Sequence, residues 1–544
     1  MTRRQSAIIL LLAVAILIRC VFFFGGVRGS DAYAYAYEAY NIATGQYDVQ
    51  ADTAYYGFRY AVLLPTALSY ALFGVSDWSS ALFPLLASLG TLLVVVQLGT
   101  RLFDERTGWL AGWLYAFFPL DLPNATLLGP SSFIPLLSTV ALYVCWIAGE
   151  ERTTEGRARW LFLLAGLCVG LAMQARESSV LLLGSIGAIL IYRQAWSWNA
   201  VLVLIGFAIP LVAESSYYWM QTGDPLYRMT VIQQLNDLYA ADVARGSQDH
   251  FIGGPTSWTY YPSAMFGWDL GGFAWFGFFV YLAIGAVVLA WWKGKVAPLL
   301  PLLVWMALPL LYLEFGSVSL LRYVPLPKGY HYMSLVSVPL LLVGASGLAL
   351  CFRLARENRL HLGMAIPSRW QTGGIVLTMA GLAATSCYGS YRVLENIHDD
   401  ARPFEQVASV VRAHPERPIY VPHFRWVLFL NYFLGYQTGT NYYSRHPNYR
   451  DGRLRYLSQL KTREEIPSAY IVLHDRYLHY DTVGLPVDRK TVVSEGLYAS
   501  LASLRVVTAQ QGHPAYNSFT VVEMDRGSES SSTYRGAGAE SRRQ

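Results

Sequence analysis

The sequence predicts a polytopic α-helical membrane protein with a small α/β domain near its C-terminal end. Of its 544 residues, 54% are hydrophobic and only 14% are charged, which is too apolar for an ordinary soluble protein. Apolar runs recur up to about residue 389, and hydropathy then falls. The formal net charge of +5 comes largely from short loops between the runs, which argues against nucleic-acid binding.

Eleven apolar runs are predicted to cross the membrane. The first, Ala7–Phe24, carries only Arg19 as a charge and ends in bulky residues, so we expect an uncleaved span rather than a signal peptide. The other ten cover about residues 80–100, 108–120, 127–148, 160–174, 178–192, 199–216, 271–291, 297–313, 332–350 and 373–389. The five cysteines lie in or beside these runs, in no disulfide or zinc-binding pattern.

Charge predicts the orientation of the chain. Every loop on the same side as the basic N-terminus also carries Arg or Lys, as the positive-inside rule requires. We therefore expect a multi-pass protein of the bacterial inner (plasma) membrane with a cytoplasmic N-terminus and an extracytoplasmic C-terminal domain. Three outside loops are long, 26–79, 217–269 and 314–331, and long loops on one face suggest that the chemistry takes place there.

The chain is expected to divide into a membrane domain (1–395), an extracytoplasmic α/β domain (396–525) and a disordered tail (526–544). In the second part, residues 403–411 have the spacing of an amphipathic helix. The runs 418–421, 470–473 and 519–522 read as strands. The tail is rich in Ser, Gly and Arg, which is typical of disorder.

Asp31 is the strongest candidate for a catalytic residue. It follows the first predicted span, and Asp31, Tyr35 and Ile42 recur at helical spacing along one face of a short surface helix. A carboxylate beside the lipid head groups could act as a general base on a lipid-linked substrate, with Tyr35 as a substrate contact. Two structural alternatives stay open: Asp31 caps the helix, and the neighbouring tyrosines form an interfacial aromatic belt.

These residues resemble a known family. The run from Asp31 to Tyr47 (Asp-x-x-x-Tyr-x-x-x-Ala-x-x-Ile-x-x-Gly-Gln-Tyr) is similar to the first external loop of the protein O-mannosyltransferase and aminoarabinose-transferase family. Further pieces follow in the family's order over residues 8–350: 72–76, 101–111, 165–176, 222–226 and 328–332. The resemblance implies the GT-C fold, a polyprenyl-phosphate sugar as donor, and inversion at the anomeric carbon.

The sequence departs from the family pattern at two positions. Many relatives carry a second acidic residue in the second outside loop, where this chain has Ser131, and Asp121 is the candidate to replace that acid or to cap the loop. The family's Lys-x-x-Arg-Tyr pattern is here Lys328-x-x-His331-Tyr332. Whether a divalent metal takes part is therefore left open, and no cofactor is assigned.

Basic residues are rare in the predicted outside loops, and a lipid phosphate requires cationic donors there. The candidates for donor binding are Arg59, Arg176, Arg322, Lys328 and His331. For Arg59 the alternative is snorkelling to the head groups, and for Arg176 it is an ordinary ion pair with Glu177. Glu214 is a candidate substrate contact because an acid near a span is costly without a function.

Together these features predict a membrane glycosyltransferase that moves a hexose or pentose from a polyprenyl-phosphate carrier to a lipid, glycan or protein acceptor on the extracytoplasmic face. Asp31 would be the general base. Two alternatives stay open, a transporter or flippase for lipid-linked saccharides and a non-catalytic envelope assembly subunit. No repeat relates two halves of the chain, which disfavours a transporter.

Overall fold

The computed structural model contains two compact units. The first comprises Met1–Val27, Glu38–Gln46 and Tyr55–Glu395, and the second comprises Arg28–Tyr37, Tyr47–Ala54 and Asn396–Gln544. The structure describes residues 2–50, 55–150, 155–244, 258–267, 274–319, 323–356, 368–421, 424–438, 452–456, 466–473, 501, 504–510 and 519–524. The predicted tail, 526–544, lies outside these residues.

The first unit is helical. Its first nine helices, with α2 shared between the units, are α1 (Arg3–Val21), α2 (Ser30–Ala43), α3 (Tyr60–Phe73), α4 (Asp77–Leu102), α5 (Glu105–Ala116), α6 (Asp121–Asn124), α7 (Pro130–Ala148), α8 (Glu155–Ala175) and α9 (Leu182–Tyr192). Seven more described helices follow: α10 (Val201–Thr222), α11 (Tyr227–Ala244), α12 (Tyr260–Phe266), α13 (Phe279–Trp292), α14 (Leu300–Phe315), α15 (Ser334–Arg356) and α16 (Ser368–Val411). The last of them, α16, continues into the second unit.

Seven helices in the described part of the chain are long and apolar enough to cross a membrane. They are α1, α4, α7, α8, α10, α14 and α15, and each coincides with a predicted span. Three shorter apolar helices cover 60–73, 177–192 and 279–292. The first of these corrects the sequence prediction, because residues 60–73 were assigned to a loop and instead form a 14-residue apolar helix with Pro65 in its interior.

Close helix packing explains one of the family-like segments. A Cβ atom on Gly166 of α8 would collide with the carbonyl oxygen of Val203 on α10, and one on Gly206 of α10 would collide with that of Leu163. Only glycine allows two backbones to approach this closely, which is how membrane helices gain packing without a hydrophobic driving force. The Ala165–Gly170 segment therefore forms a helix–helix interface.

The second unit contains a five-stranded sheet in the order β2-β1-β3-β5-β4. The strands are β1 (Ile419–Val421), β2 (Leu454–Tyr456), β3 (Ala469–Leu473), β4 (Arg505–Gln510) and β5 (Phe519–Met524). β1 is parallel to β2 and β3, whereas β5 is antiparallel to β3 and β4. The predicted α/β domain is confirmed, and β2 and β4 are the strands that the pattern did not reveal.

Helix α17 (Phe424–Phe433) and the end of α16 cover one face of this sheet. Val407, Val427 and Leu430 are fully buried there against Ile419 and Val472. The predicted amphipathic helix 403–411 is the last part of α16. Its apolar side is therefore used for packing within the second unit.

Candidate active site

Asp31 lies in the first turn of α2, where its side chain is half-buried. The turn is held by the second unit's own core. The ring of Tyr33 stacks on Phe429 of α17 at a centroid distance of 4.0 Å, and Arg28 pairs with Glu405 at 2.8 Å. Tyr35, one turn further along α2 from Asp31, is 1% exposed. The C-terminal unit thus contributes the packing surface that fixes the backbone of the candidate base.

In the first unit, three helix ends meet at the carbonyl oxygen of His331. Arg176, just after α8, donates to it from Nη1 at 3.3 Å, and Ser131, at the start of α7, donates from Oγ at 3.4 Å. The guanidinium of Arg176 also lies over the ring of Tyr332 at 4.5 Å. The structure therefore brings together Arg176, His331 and the residue that replaces the family's second acid. His331 contacts Arg176 through its backbone carbonyl oxygen.

Glu214 forms a buried cluster with Arg228 of α11. Arg228 donates from Nη1 to both carboxylate oxygens of Glu214, at 3.1 and 3.2 Å, and from Nη2 to Glu177. The hydroxyl of Tyr218 donates to the same Glu214 carboxylate at 2.6 Å. This arrangement counts against direct substrate binding by Glu214, because its oxygens already satisfy a buried cation. Glu177 likewise pairs with Arg228.

Lys328 is also enclosed by the protein. Its Nζ donates to the carbonyl oxygens of Leu313 and Glu314 at 2.8 and 2.6 Å and lies 3.5 Å from the Glu314 carboxylate. Burial lowers the pKa of Lys328, although the Glu314 carboxylate opposes this shift. An ammonium group has three donors, and these contacts use them. The geometry therefore favours a role in anchoring the loop to α14 over the predicted contact with a lipid phosphate.

Asp121 is enclosed in the same way, deeper among the helices. Its Oδ2 accepts from Arg19 Nη2 at 2.5 Å and from Ser88 Oγ at 2.6 Å, while Oδ1 accepts from the Tyr115 hydroxyl at 2.6 Å. Asp121 is 5% exposed and Arg19 is fully buried. To bind a metal or a substrate, this carboxylate would have to give up a buried ion pair, which is costly. These contacts hold α1 against α4 and α6, which is a structural role.

Two further basic candidates complete the set. Arg59 is 5% exposed and precedes α3, and its charge interacts with Glu177. The neighbouring ring of Phe58 packs edge-on against Tyr218 at 5.7 Å, which holds this turn against α10. Arg59 is therefore inside the protein and does not snorkel to the surface. Arg322 lies outside the described residues.

The described residues contain no ready-made group of side chains for a divalent metal. No three His, Cys, Asp or Glu side chains within the described ranges are grouped as metal ligands. Ser131 replaces one expected acid, and Asp121 is committed to Arg19. We derive no step through a metal ion.

Glu38 is an ionisable residue that the sequence analysis missed. It lies on α2 two turns after Asp31, is 1% exposed, and its Oε1 accepts no hydrogen bond from any residue that the structure describes. Burial raises the pKa of Glu38 to about 8. The available sequence signal was its i+7 spacing from Asp31, which places both acids on one face of the helix. A carboxyl group with a pKa near neutrality can both hold and release a proton under physiological conditions.

Comparison with known proteins supports the resemblance. The family model described as dolichyl-phosphate-mannose-protein mannosyltransferase matches residues 61–219. This segment contains Asp121, Ser131, Arg176 and Glu214, four of the positions considered above. No curated protein matches the chain.

Solved structures extend the likeness over nearly the whole chain. ArnT from Cupriavidus metallidurans in the apo state aligns with a TM-score of 0.60 at 14% identity, covering 96% of this chain and 98% of ArnT. The same protein bound to undecaprenyl phosphate aligns at 0.59 and 14% identity, with 95% and 98% covered. The apo oligosaccharyltransferase from Archaeoglobus fulgidus aligns at 0.52 and 12% identity, with 87% and 69% covered.

These identities establish the fold alone, and the family model establishes the resemblance of residues 61–219. The predicted resemblance is confirmed on both grounds: the chain is a multi-pass membrane protein with the GT-C fold of the protein O-mannosyltransferase and aminoarabinose-transferase type.

Proposed function

We propose that this protein is an inverting membrane glycosyltransferase that takes a sugar from a polyprenyl-phosphate carrier. The observation that carries the proposal is the family match over residues 61–219, which includes the buried Arg176. Two facts about neighbours of the same fold support it: ArnT has been solved with undecaprenyl phosphate, and the archaeal oligosaccharyltransferase with dolichol phosphate and a peptide. The acceptor is a lipid, a glycan or a protein.

In the proposed reaction, Asp31 removes the proton from the acceptor hydroxyl as its oxygen attacks the anomeric carbon. The bond between that carbon and the phosphate oxygen breaks, and the electron pair leaves with the polyprenyl phosphate. Attack opposite the leaving group inverts the anomeric configuration. Asp31 retains partial exposure at a helix start, whereas Asp121 has its oxygens enclosed, and this difference favours Asp31 as the base.

A phosphate leaving group needs charge stabilisation more than it needs protonation. Arg176 suits this role because its guanidinium is planar and is oriented by Tyr332 and by the His331 carbonyl. Arg59 is the second candidate, since it is buried and interacts with Glu177 beside Arg176. Lys328 pairs with Glu314 and Glu214 pairs with Arg228, so in this proposal they hold the surrounding structure in place and do not contact the phosphate. Preorganised cations of this kind act without reorganisation during the reaction.

The proposed orientation places Asp31 and the C-terminal unit on the extracytoplasmic side of a bacterial inner membrane. Basic residues at the opposite helix ends, such as Arg101, Arg106 and Arg353, support it through the positive-inside rule. A donor presented in the outer leaflet would then reach Asp31 directly.

The experiment that tests the function is mass spectrometry of lipid-linked and envelope glycans from a deletion strain. We expect a precursor that lacks one sugar and a polyprenyl-phosphate sugar that accumulates, and both should disappear on complementation with the wild-type gene. Complementation with Asp31→Asn should leave both in place. Glycans identical to those of the wild type in the deletion strain would contradict the proposal.

A further inference from the structure

The basic end of the helical unit contains an open groove that plays no part in the proposed reaction. The groove has a volume of 260 Å³ and lies between α1, α4, α5 and α7. Its polar end is formed by Arg4 and Arg101, with Gln97 and Tyr143 beside them, and Leu11 and Leu93 contribute to its apolar walls. This volume is far larger than the share of one water molecule, so the groove can take up a larger group.

The helix geometry explains why one end is charged and the other apolar. On α1, Arg4, Ile8 and Leu11 are spaced at i, i+4 and i+7, so they share one face. On α4, Leu93, Gln97 and Arg101 are spaced at i, i+4 and i+8, so they also share one face. The groove therefore follows each helix for about two turns, or roughly 10–12 Å at 1.5 Å per residue. This length covers most of one leaflet of a hydrocarbon core that is ~30 Å thick.

The groove's walls are open to the membrane. Only 17% of the apolar stretch of α1 is buried within the protein, so one wall of the groove is a helix that lies mostly at the protein surface. The floor is rigid, because a Cβ atom on Gly108 would collide with Thr100 and one on Gly112 would meet Val96 at 2.5 Å. Lipid chains fill such a groove in a bilayer, since no other apolar group is available there.

The polar end has unused hydrogen-bond donors. The guanidinium of Arg4 takes part in no hydrogen bond or ion pair recorded among the described residues, and Arg101 makes only a long contact of 3.5 Å with Glu150. Gln97, which also lines the groove, accepts from the Tyr143 hydroxyl at 3.0 Å through its carbonyl oxygen, and its amide nitrogen has no acceptor in the described part of the chain. Two guanidinium groups and an amide match the oxygens of a phosphodiester.

We propose that this groove binds an anionic phospholipid, with its phosphate between Arg4 and Arg101 and an acyl chain along Leu11 and Leu93. The charge complementarity selects an anionic lipid over a zwitterionic one, whose ammonium group would meet the two arginines. Basic pockets between membrane helices bind anionic head groups for the same reason. The site lies at the helix ends opposite Arg176 and is independent of the proposed function.

The test is native mass spectrometry of the purified full chain titrated with phosphatidylglycerol or phosphatidylcholine. We expect phosphatidylglycerol to bind at least about tenfold more tightly than phosphatidylcholine. The double variant Arg4→Gln/Arg101→Gln should weaken phosphatidylglycerol binding about 30-fold, since each basic group near an anionic head group is worth ~1 kcal/mol. The matched control Arg157→Gln/Arg159→Gln removes two exposed charges from the start of α8 and should change binding by less than about twofold.

A second variant distinguishes lipid binding inside the groove from anion binding to the surface charges alone. Ile8→Trp keeps both arginines and fills the apolar part, so it should also weaken phosphatidylglycerol binding. Unchanged melting temperatures would show that each variant is folded. Equal affinity for the two lipids would overturn the proposal, as would equal losses in the groove and control double variants. Binding that survives Ile8→Trp and is displaced by inorganic phosphate would indicate a surface anion site and would also overturn it.

Discussion

Asp31, in the first turn of α2, and Asp121 are both acids that the sequence identifies as candidate catalytic residues, but their surroundings in the structure differ. Asp121 is surrounded by Arg19, Ser88 and Tyr115, which occupy both of its oxygens. Asp31 lies at a helix start, remains partly exposed, and has its backbone fixed by Tyr33 packing on α17. The comparison teaches that an acid beside a membrane span is a catalytic candidate only when its partners leave it access to a substrate.

The largest expected effect concerns Asp31. Asp31→Asn keeps the side-chain shape but removes the proton acceptor, so sugar transfer per molecule should fall about 10²–10⁴-fold, the usual contribution of a general base. Initial transfer rates in membranes, normalised to protein amount, measure this. Asp48→Asn is the matched control, because Asp48 is an exposed acid whose carboxylate accepts from the Gln50 backbone N–H at 2.9 Å. A wild-type rate for Asp31→Asn would remove the distinction between the two acids.

The opposite result is expected at Asp121. Asp121→Leu leaves Arg19 buried without a counter-charge, which typically costs about 3–5 kcal/mol, so expression and melting temperature should fall. The double variant Arg19→Met/Asp121→Leu should recover most of that stability, because apolar pairs replace buried ion pairs well. Transfer per folded molecule should be retained in the double variant. Normal stability with lost transfer would instead place Asp121 in the reaction.

The third prediction uses Glu38, a buried acid on the same helix as Asp31. Its pKa is about 8 in the folded chain, against 4.5 for the ordinary side chain, so the folded state retains a proton that the unfolded state releases. Stability is therefore fully present below about pH 4.5 and is lost as the pH rises toward 8. At ~1.4 kcal/mol per pH unit, the loss between about pH 5.5 and 7.5 should be roughly 2–3 kcal/mol.

A pH series of melting temperatures checks this prediction. Glu38→Gln should flatten the decline, whereas Glu105→Gln, at an exposed position, should keep it. If Glu38→Gln and the wild type showed the same pH slope, the carboxyl group would not be protonated in the folded chain.

The smallest effect is expected at Arg176. Arg176→Lys keeps the charge but loses the planar group that lies over Tyr332, so kcat/KM for the donor should fall about tenfold, through a lower kcat as well as a higher KM. Arg193→Lys is the matched control, since Arg193 lies over Trp146 at 4.7 Å at the far end of α9. An equal fall in kcat/KM for both variants would show that Arg176 acts on stability rather than on the donor.

Hydropathy and charge predicted the seven long membrane helices and the C-terminal sheet, because both signals are local in the sequence. The helix at 60–73 was missed because its 14 residues are shorter than a span and follow a long polar loop. Partners distant in sequence could not be predicted. Arg228 meets Glu177 across 51 positions, and Arg19 meets Asp121 across 102, so the enclosure of Glu214, Lys328 and Asp121 emerges only from the fold.

The C-terminal unit illustrates the same limit. The apolar runs 418–421, 470–473 and 519–522 predicted three strands, which the structure places at 419–421, 469–473 and 519–524. Nothing local in the sequence indicates that Tyr33 packs on Phe429. We infer from this contact that the domain supports the turn that carries Asp31.

One measurement tests the central claim most directly. The full chain is reconstituted in vesicles with a labelled polyprenyl-phosphate sugar and an acceptor extract, and the fate of the labelled sugar is followed. We predict that free polyprenyl phosphate and glycosylated acceptor appear in equal amounts with the wild type and Asp48→Asn, and not with Asp31→Asn. Movement of the donor lipid to the other leaflet with its sugar still attached, and no glycosylated product, would show a transporter and contradict the account.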